Sequence, residues 1–470
     1  MPKITITEKD YTTPGFGEYS NFAVLVPGLV ANTEEFDAKA DENGVIELAT
    51  RAEFMTYVGK VANTLAVNRT FASPTPFTAP INPETGDPAY VQTVPGYSIK
   101  LSSMATTPDA TKGKDIVRIN TSVNPDIPTY VYYQLTKTTD STVWSASAQY
   151  VIVPDEKRGT DKVEGATLLH YGNQIAYELL NLGYPVVYKK LEEVSDLSLD
   201  SYWEALQDKS NYNFRFIING LLIANTSDES NPVKITTANV ATAKLAAERG
   251  DCVAVLDIDE SCYKDKNYET PSKLIAAISV EANSHSFGTN SRDEDVGKYA
   301  ALFAPAVDYN MAEDTVYQNS HFPAGFHYLA CFASMLGANY AEWYAAAGLG
   351  KGVASYSIAS TEVKLGEAAE HALEPRYQII FRNPGTNEET TLNKAVNIIE
   401  KIRGGYYLYG NRTAYRLGAQ GGSEGDLVAS HFLNIRQLCS TLKKQLYTIC
   451  KRLTFDPNSH TLWVNFCDAI

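Results

Sequence analysis

Apolar residues in the middle of the chain come in short runs of about five, and between these runs they recur every three or four positions. Such alternation marks buried strands separated by helices that each keep one apolar face. Residues 170–182 read as a helix ended by Gly183 with Pro185 beyond it, and 185–189 as the strand that follows. Strand 214–219, helix 237–249 closed by Gly250, strand 252–257, helix 272–280, strand 299–304 and helix 325–336 before Gly337 continue the pattern. Helices placed between buried strands predict a parallel or mixed sheet covered on both faces. From Tyr356 the rhythm becomes α+β, with strands at 377–381 and 405–409, a helix at 391–403 and a long amphipathic helix near the end.

Upstream, Lys3, Ile4, Thr5, Ile6 and Thr7 alternate polar and apolar before the turn signal Thr13-Pro14-Gly15. A strand so short, with no hairpin partner beside it, must pair with something distant. Residues 21–28 have the look of a buried strand ended by Pro27-Gly28, and 51–58 of a short helix. Between 69 and 165, Pro, Thr, Ser and Tyr dominate, turn pairs such as Asn82-Pro83 and Asn124-Pro125 recur, and strand-like runs such as 129–135 appear. The chain thus divides into an extended N-terminal arm (1–20), an α+β core from 21–68 and 356–470, an inserted, outward-facing β-rich domain (69–165) and an α/β domain (166–355). The expected fold class is α/β and α+β multidomain, with a mixed sheet flanked by helices. No internal repeat is visible.

A length of 470 residues suits about three domains. The formal net charge of −15 argues against wrapping nucleic acid or docking on anionic lipid. No apolar run reaches the roughly 18 residues of a membrane span, and the N-terminus lacks an apolar signal core, so synthesis and assembly are expected in a cytoplasm. The six cysteines are spread thinly, without metal-binding spacing, and read as reduced core residues.

Against this acidic background, residues 432–455 carry five basic residues and no acid. On a helical projection Ile435, Leu438, Cys439, Leu442, Leu446, Ile449, Cys450 and Leu453 share one arc, while Arg436, Lys443, Lys444, Lys451 and Arg452 take the other half. The expectation is a helix that packs its apolar face on its own domain and offers a positive face to something negative. A merely solvated polar face would normally intersperse Glu or Asp as i,i+4 partners, and here there are none.

Candidate chemistry is sparse. Asp257, Asp259 and Glu260 sit at the end of a predicted strand, where open α/β sheets bind ligands and carboxylates could hold Mg²⁺, but no glycine-rich phosphate loop precedes them. Residues 347–352 lack the leading glycine and the Ser or Thr of a phosphate loop. Gly421 to Gly425 spell a G-x-S-x-G around Ser423, without the apolar strand that a nucleophile elbow requires. The seven histidines are scattered and read as structural or exposed. The residues therefore point to no catalytic or metal group and to no cofactor.

Four local patterns carry a resemblance. Tyr11 to Gly15 leads to Ser20 through Gly28; Phe322-Pro323-Ala324-Gly325 is followed by Trp343 and the stretch to Gly352; Leu392-Asn393 precedes Gly405 through Thr413 with its Gly410-Asn411-Arg412-Thr413; and Phe432 through Arg436 is followed by Phe455-Asp456-Pro457-Asn458 and Leu462-Trp463. In this order they resemble the contractile-tail sheath family of bacteriophages, related to R-type pyocin and type VI secretion sheaths. The chain departs from the family's Pro-Ser-Gly turn by carrying Ala324, and the β-rich insertion matches nothing specific in it.

The resemblance implies a structural subunit that stacks in hexameric rings around a tail tube and shortens during infection. Its implied partners are copies of itself, the tube protein, and baseplate and terminator proteins, in a virion assembled in the host cytoplasm, with no nucleic acid bound and no membrane insertion. Strand exchange between subunits would use Lys3, Ile4, Thr5, Ile6 and Thr7, and the basic helix with Arg436, Lys443, Lys444, Lys451 and Arg452 would face the tube or a neighbouring subunit. Family members continue past the Phe-x-Pro-Asn turn into further strands, whereas this chain stops at Ile470, so either the chain is a fragment or another segment or chain would complete the sheet. The rival readings are a non-contractile tail or baseplate wall component and, further off, a metal-dependent α/β enzyme using Asp257, Asp259 and Glu260.

Overall fold

The computed structural model describes residues 22–59 and 170–469 except 193, 223–233, 265, 267, 311–319, 375–378, 383–385, 393, 417–427, 454–456 and 458, together with four strands between 76 and 150. The proposed strand-exchange residues, Lys3 to Thr7, lie outside the described residues.

An eight-stranded sheet organises the chain. Its strands are β1 (Val24–Gly28), β2 (Val45–Leu48), β3 (Val186–Lys190), β4 (Phe216–Ile218), β5 (Val253–Asp257), β6 (Ala300–Ala304), β7 (Val396–Ile402) and β8 (Gly405–Tyr409). In space they run β8-β7-β6-β5-β4-β1-β3-β2, parallel from β7 to β3 and closed at each edge by an antiparallel strand. Successive strand residues alternate between two cores, as the two-residue strand period requires. Leu25, Ala254, Leu256 and Leu302 point to one face, and Val24, Val26, Val253, Val255 and Phe303 to the other.

The helices α1 (Gly172–Asn181), α2 (Ile235–Arg249), α3 (Pro271–Ser284) and α4 (Ala324–Gly337) supply the cover. α2 and α3 pack on the first face through residues such as Ala238, Leu245, Ile278 and Ala282, and α1 and α4 on the second through Ile175, Leu179, Phe326 and Phe332. Local chemistry sets the helix ends. Thr270 caps α3, accepting from the Lys273 amide ahead of Pro271, and Gly250 ends α2 with a left-handed φ of 68°. Two helices end the described chain, α5 (Leu433–Leu453) and α6 (His460–Ala469).

Among the described residues three smaller sheets complete the architecture, which is the mixed, multidomain α/β and α+β class. Val307–Tyr309 lies between His321–Phe322 and Ile358–Thr361, and Ile379–Arg382 pairs with Glu389–Leu392. A separate antiparallel sheet holds Pro76–Thr78, Val143–Tyr150, Tyr130–Lys137 and Asp115–Asn120 in that order.

One expected element is wrong in type. Residues 391–403, read as a helix, instead contribute the end of Glu389–Leu392 and the whole of β7. Val396, Ile398 and Ile399 are branched at Cβ and buried, and β7 runs parallel to β6 inside the sheet, so tertiary burial outweighs the helical spacing of the polar residues around them.

Gly325 shows how tightly α4 meets the sheet. A Cβ there would lie 2.8 Å from both the Asp257 carboxylate and Val255 Cγ1. Gly325→Ala should therefore lower stability by roughly 1–3 kcal/mol, measured by urea unfolding; an unchanged midpoint would mean that α4 sits further from β5.

Candidate functional site

In a parallel sheet the strand order reverses where ligands usually bind, outside the carboxyl ends of the strands flanking the reversal. Here that point lies between β1 and β4, and the chain fills it with its own groups. Asn173 Oδ1 accepts from the Leu29 amide at 3.0 Å while its Nδ2 donates to the Leu29 carbonyl at 2.7 Å. Tyr188 donates to the same carbonyl at 2.7 Å, and His170 Nε2 donates to the Asn219 carbonyl at 2.8 Å. The first residue of α1 packs so close that a Cβ on Gly172 would stand 2.1 Å from the Pro27 carbonyl.

The three carboxylates after β5 do not converge. Asp257 is buried and accepts from the Gly325 amide at the start of α4 at 3.0 Å; burial pushes its carboxyl up to about 8, against the pull of the Gly325 and Ala324 amides. Asp259 caps a short 3₁₀ turn by accepting from the Ser261 amide at 2.9 Å. Glu260 turns the other way, toward Lys264 at 3.0 Å and His321 Nε2 at 2.8 Å, and His321 Nδ1 meets Asp308 at 2.7 Å. Burial opposes the charge on His321, but the two carboxylates outweigh it and hold the imidazole up at about 9.

The other motifs have structural duties or lie out of view. In the 347–352 segment, Gly348 donates to the Leu408 carbonyl and the Leu408 amide donates to the Gly352 carbonyl, each at 2.8 Å, so the segment covers part of the outer edge of β8. Ser423 and its glycines lie outside the described residues.

The basic helix packs by the face opposite to the expected one. Among the described side chains of α5 the buried positions are Leu433, Arg436, Gln437 and Ser440, spaced i, i+3, i+4 and i+7. Arg436 lies over the Tyr299 ring at 4.6 Å, Lys443 reaches the same ring at 5.5 Å, and Lys444 bonds Asn213 at 2.9 Å and Asp251 at 3.2 Å. Of the predicted apolar arc, Leu442 is 47% exposed, Cys450 is exposed and Ile435, Leu438, Cys439 and Leu446 are only half-buried. Lys451 is exposed, and the Arg452 side chain lies outside the described residues. The reason is the surface that α5 meets: Tyr299, Glu294, Asp251 and Glu342 offer rings and carboxylates rather than an apolar groove, and long cationic side chains can lay their stems across such a surface.

Sequence reasoning missed the buried cations that receive this helix. Arg249 lies over Phe214 at 4.1 Å, donates to the Leu206 and Tyr212 carbonyls and pairs with Asp251 at 3.0 Å. Arg215 pairs with Glu342 and donates to the Gln437 carbonyl on α5 at 3.3 Å. The signal for Arg249 was present: an arginine one residue before a glycine helix end and two before an aspartate, bordering a wholly apolar strand.

No protein-family model matches this chain, and no curated protein matches it. Solved structures with similar chains include three of the anti-feeding prophage. One is described as the anti-feeding prophage baseplate, 6-fold symmetrised, with a TM-score of 0.39 and 14% identity over 66% of this chain and 65% of that one. A second is the anti-feeding prophage helical sheath in contracted state, with a TM-score of 0.35 and 15% identity over 61% of each chain. The third is the anti-feeding prophage baseplate in contracted state, at 0.38 and 13% over 63% of this chain and 67% of that one. This chain thus spans about two thirds of the length of the chains it matches.

Two outcomes follow from these electrostatics. Lys444→Glu removes a largely buried partner of Asp251 and sets two carboxylates together, which should destabilise the fold by about 3 kcal/mol, whereas Lys451→Glu on the exposed side should leave the urea midpoint unchanged. Second, burial lowers the imidazoles of His170 and His285 to about 4 and of His327 to about 3. His285 is held neutral between the Glu281 carbonyl, to which Nδ1 donates, and Asn239 Nδ2, which donates to Nε2, both at 3.0 Å. The unfolded chain takes up protons near 6.5 that the fold refuses, so stability present above 6.5 is lost as pH falls toward 4. His285→Gln should reduce the slope of unfolding free energy against pH in that window by about one proton; an unchanged slope in denaturation series would show a charged His285 in the fold.

Proposed function

We propose that this chain is a structural subunit of a contractile-tail assembly, a sheath protein that polymerises as stacked hexameric rings around a tail tube and shortens to drive the tube through the host envelope. One observation carries the reading. Residues from three of the four sheath-like patterns, Trp343, Asn411, Arg412, Phe432 and Asn434, come together in one knot of contacts. Asn411 Nδ2 donates to Asn434 Oδ1 at 2.7 Å, the Asn434 amide donates to Asn411 Oδ1 at 3.2 Å, and Asn434 Nδ2 donates to the Trp343 carbonyl at 2.9 Å. Arg412 lies over Phe432 at 5.3 Å, and the two residues form a bridge. Patterns distant in sequence whose residues meet in the fold support a common structural origin more strongly than short matches taken singly.

The surfaces agree with a role in assembly. The ligand crevice of the sheet is filled from within, while the apolar residues of the C-terminal helices stand outside: Leu442 and Tyr447 on α5, and Trp463, 59% exposed, with Val464 on α6. A neighbour covering them would gain the burial that the single chain forgoes. Tube, baseplate and terminator proteins are the remaining partners in this reading. The arm at Lys3 to Thr7 would lend a strand to the next subunit, and the work is mechanical, with no cofactor.

Negative-stain microscopy of the concentrated protein should show stacked rings or hollow tubes, and the double variant Leu442→Glu with Trp463→Glu should abolish them while leaving the unfolding midpoint in place. Rings that never shorten would identify a wall or baseplate component instead. Protein that stays monomeric at every concentration and beside every tube preparation would overturn the assembly reading.

A further inference from the structure

Between the main sheet and the three-stranded sheet, the donor atoms of Glu260, His321 and Glu362 all lie within 4.8 Å of one another. Each comes from a different element: the turn after β5, the strand His321–Phe322, and the residue following the strand Ile358–Thr361. Glu260 is completely buried, and its Oε2 has no hydrogen-bond partner among the described residues. A buried carboxylate oxygen left without a donor is costly and calls for a cation or a proton.

We propose that Glu260, His321 and Glu362 form a binding site for one divalent transition ion of the Zn²⁺ class. The ligands are the Glu260 and Glu362 carboxylates and His321 Nε2. Metal–ligand bonds of about 2.0–2.2 Å set neighbouring donors roughly 3 Å apart, and His321 Nε2 already stands 2.8 Å from Glu260 Oε1. Glu362, half-buried at the rim, closes the remaining gap by a small rotation of its side chain. Behind the imidazole, Asp308 accepts from Nδ1 at 2.7 Å, the outer-shell arrangement that orients a metal-binding histidine and leaves Nε2 for the ion.

On binding, the Nε2 proton is released to solvent. Lys264, 33% exposed, swings off Glu260 into water, and the fourth position is left to a water molecule. The ion would tie the carboxyl end of β5 to both outer strands of the small sheet. This site is independent of the assembly reading and stands or falls by its own test.

The test is calorimetric titration of the chelator-stripped full-length protein with Zn²⁺ at pH 8, with Co²⁺ as the spectroscopic probe. One ion should bind per chain, and bound Co²⁺ should show visible d–d absorption without a thiolate charge-transfer band. His321→Asn and Glu362→Gln should each weaken binding by about tenfold or more, and Asp308→Asn by about 10–100-fold. Glu362→Gln changes a rim residue and keeps the test valid should replacement of His321 impair folding. No Zn²⁺ binding up to millimolar concentration, binding unchanged in Glu362→Gln, or a Co²⁺ spectrum dominated by thiolate bands would each overturn the proposal.

Discussion

The pairing of Arg249, Asp251 and Lys444 holds the arrangement of this molecule together. Asp251 follows Gly250 at the end of α2 and takes one cation from α2 and one from α5, at 3.0 and 3.2 Å. Desolvated charges gain little net stability over apolar groups of the same size, but removing one partner leaves the other stranded. The triad therefore acts less as a source of stability than as a determinant of orientation. It sets the C-terminal helix against the end of α2 with Arg436 and Lys444 inward, and Arg215, through the Gln437 carbonyl, fixes the same helix about two turns earlier.

That orientation explains the most informative mismatch between sequence and structure. The all-basic, acid-free character of 432–455 led to the expectation of a positive face turned outward toward something negative. The negative groups are in the same chain, at Asp251, Glu294 and Glu342, nearly 100 to 200 residues upstream, where no local pattern could reveal them. The β/α alternation was legible because it is local. Gly405–Tyr409 falls on the expected residues, and α1, α2 and α4 lie within two residues of their expected ends. β7 was not legible, because its strand character comes from a place inside the sheet beside β6. Glu260 was singled out, but in the company of Asp257 and Asp259; His321 and Glu362 were out of reach, since the topology alone brings them to it.

At the carboxyl ends of the strands, groups that in another α/β protein would face a ligand are committed internally. Asn173, Tyr188 and His170 close the reversal between β1 and β4, and Asp257 is spent on the first turn of α4. Glycines at 172 and 325 let the two helices seat directly on the strand ends, where a side chain would collide with the Pro27 carbonyl or with Asp257 and Val255. The end of the sheet that could bind a small molecule is thereby turned into packing surface, which suits a rigid block more than a pocket.

The orientation of α5 also decides which surface the chain exposes. Had α5 buried its apolar arc, the chain would present a cationic stripe, and its contacts would be weak, screened by salt and tolerant of sliding. With Arg436 and Lys444 turned inward, the outer surface carries Leu442, Tyr447 and, on α6, Trp463 and Val464. Apolar contacts of this kind are short-ranged and depend on shape, so they discriminate between one packing and another and are little affected by ionic strength. Turning Arg436 and Lys444 onto carboxylates and rings of the same chain, while Leu442 and Tyr447 stay exposed, thus gives these two charges the role of orienting α5 rather than of lining its outer surface.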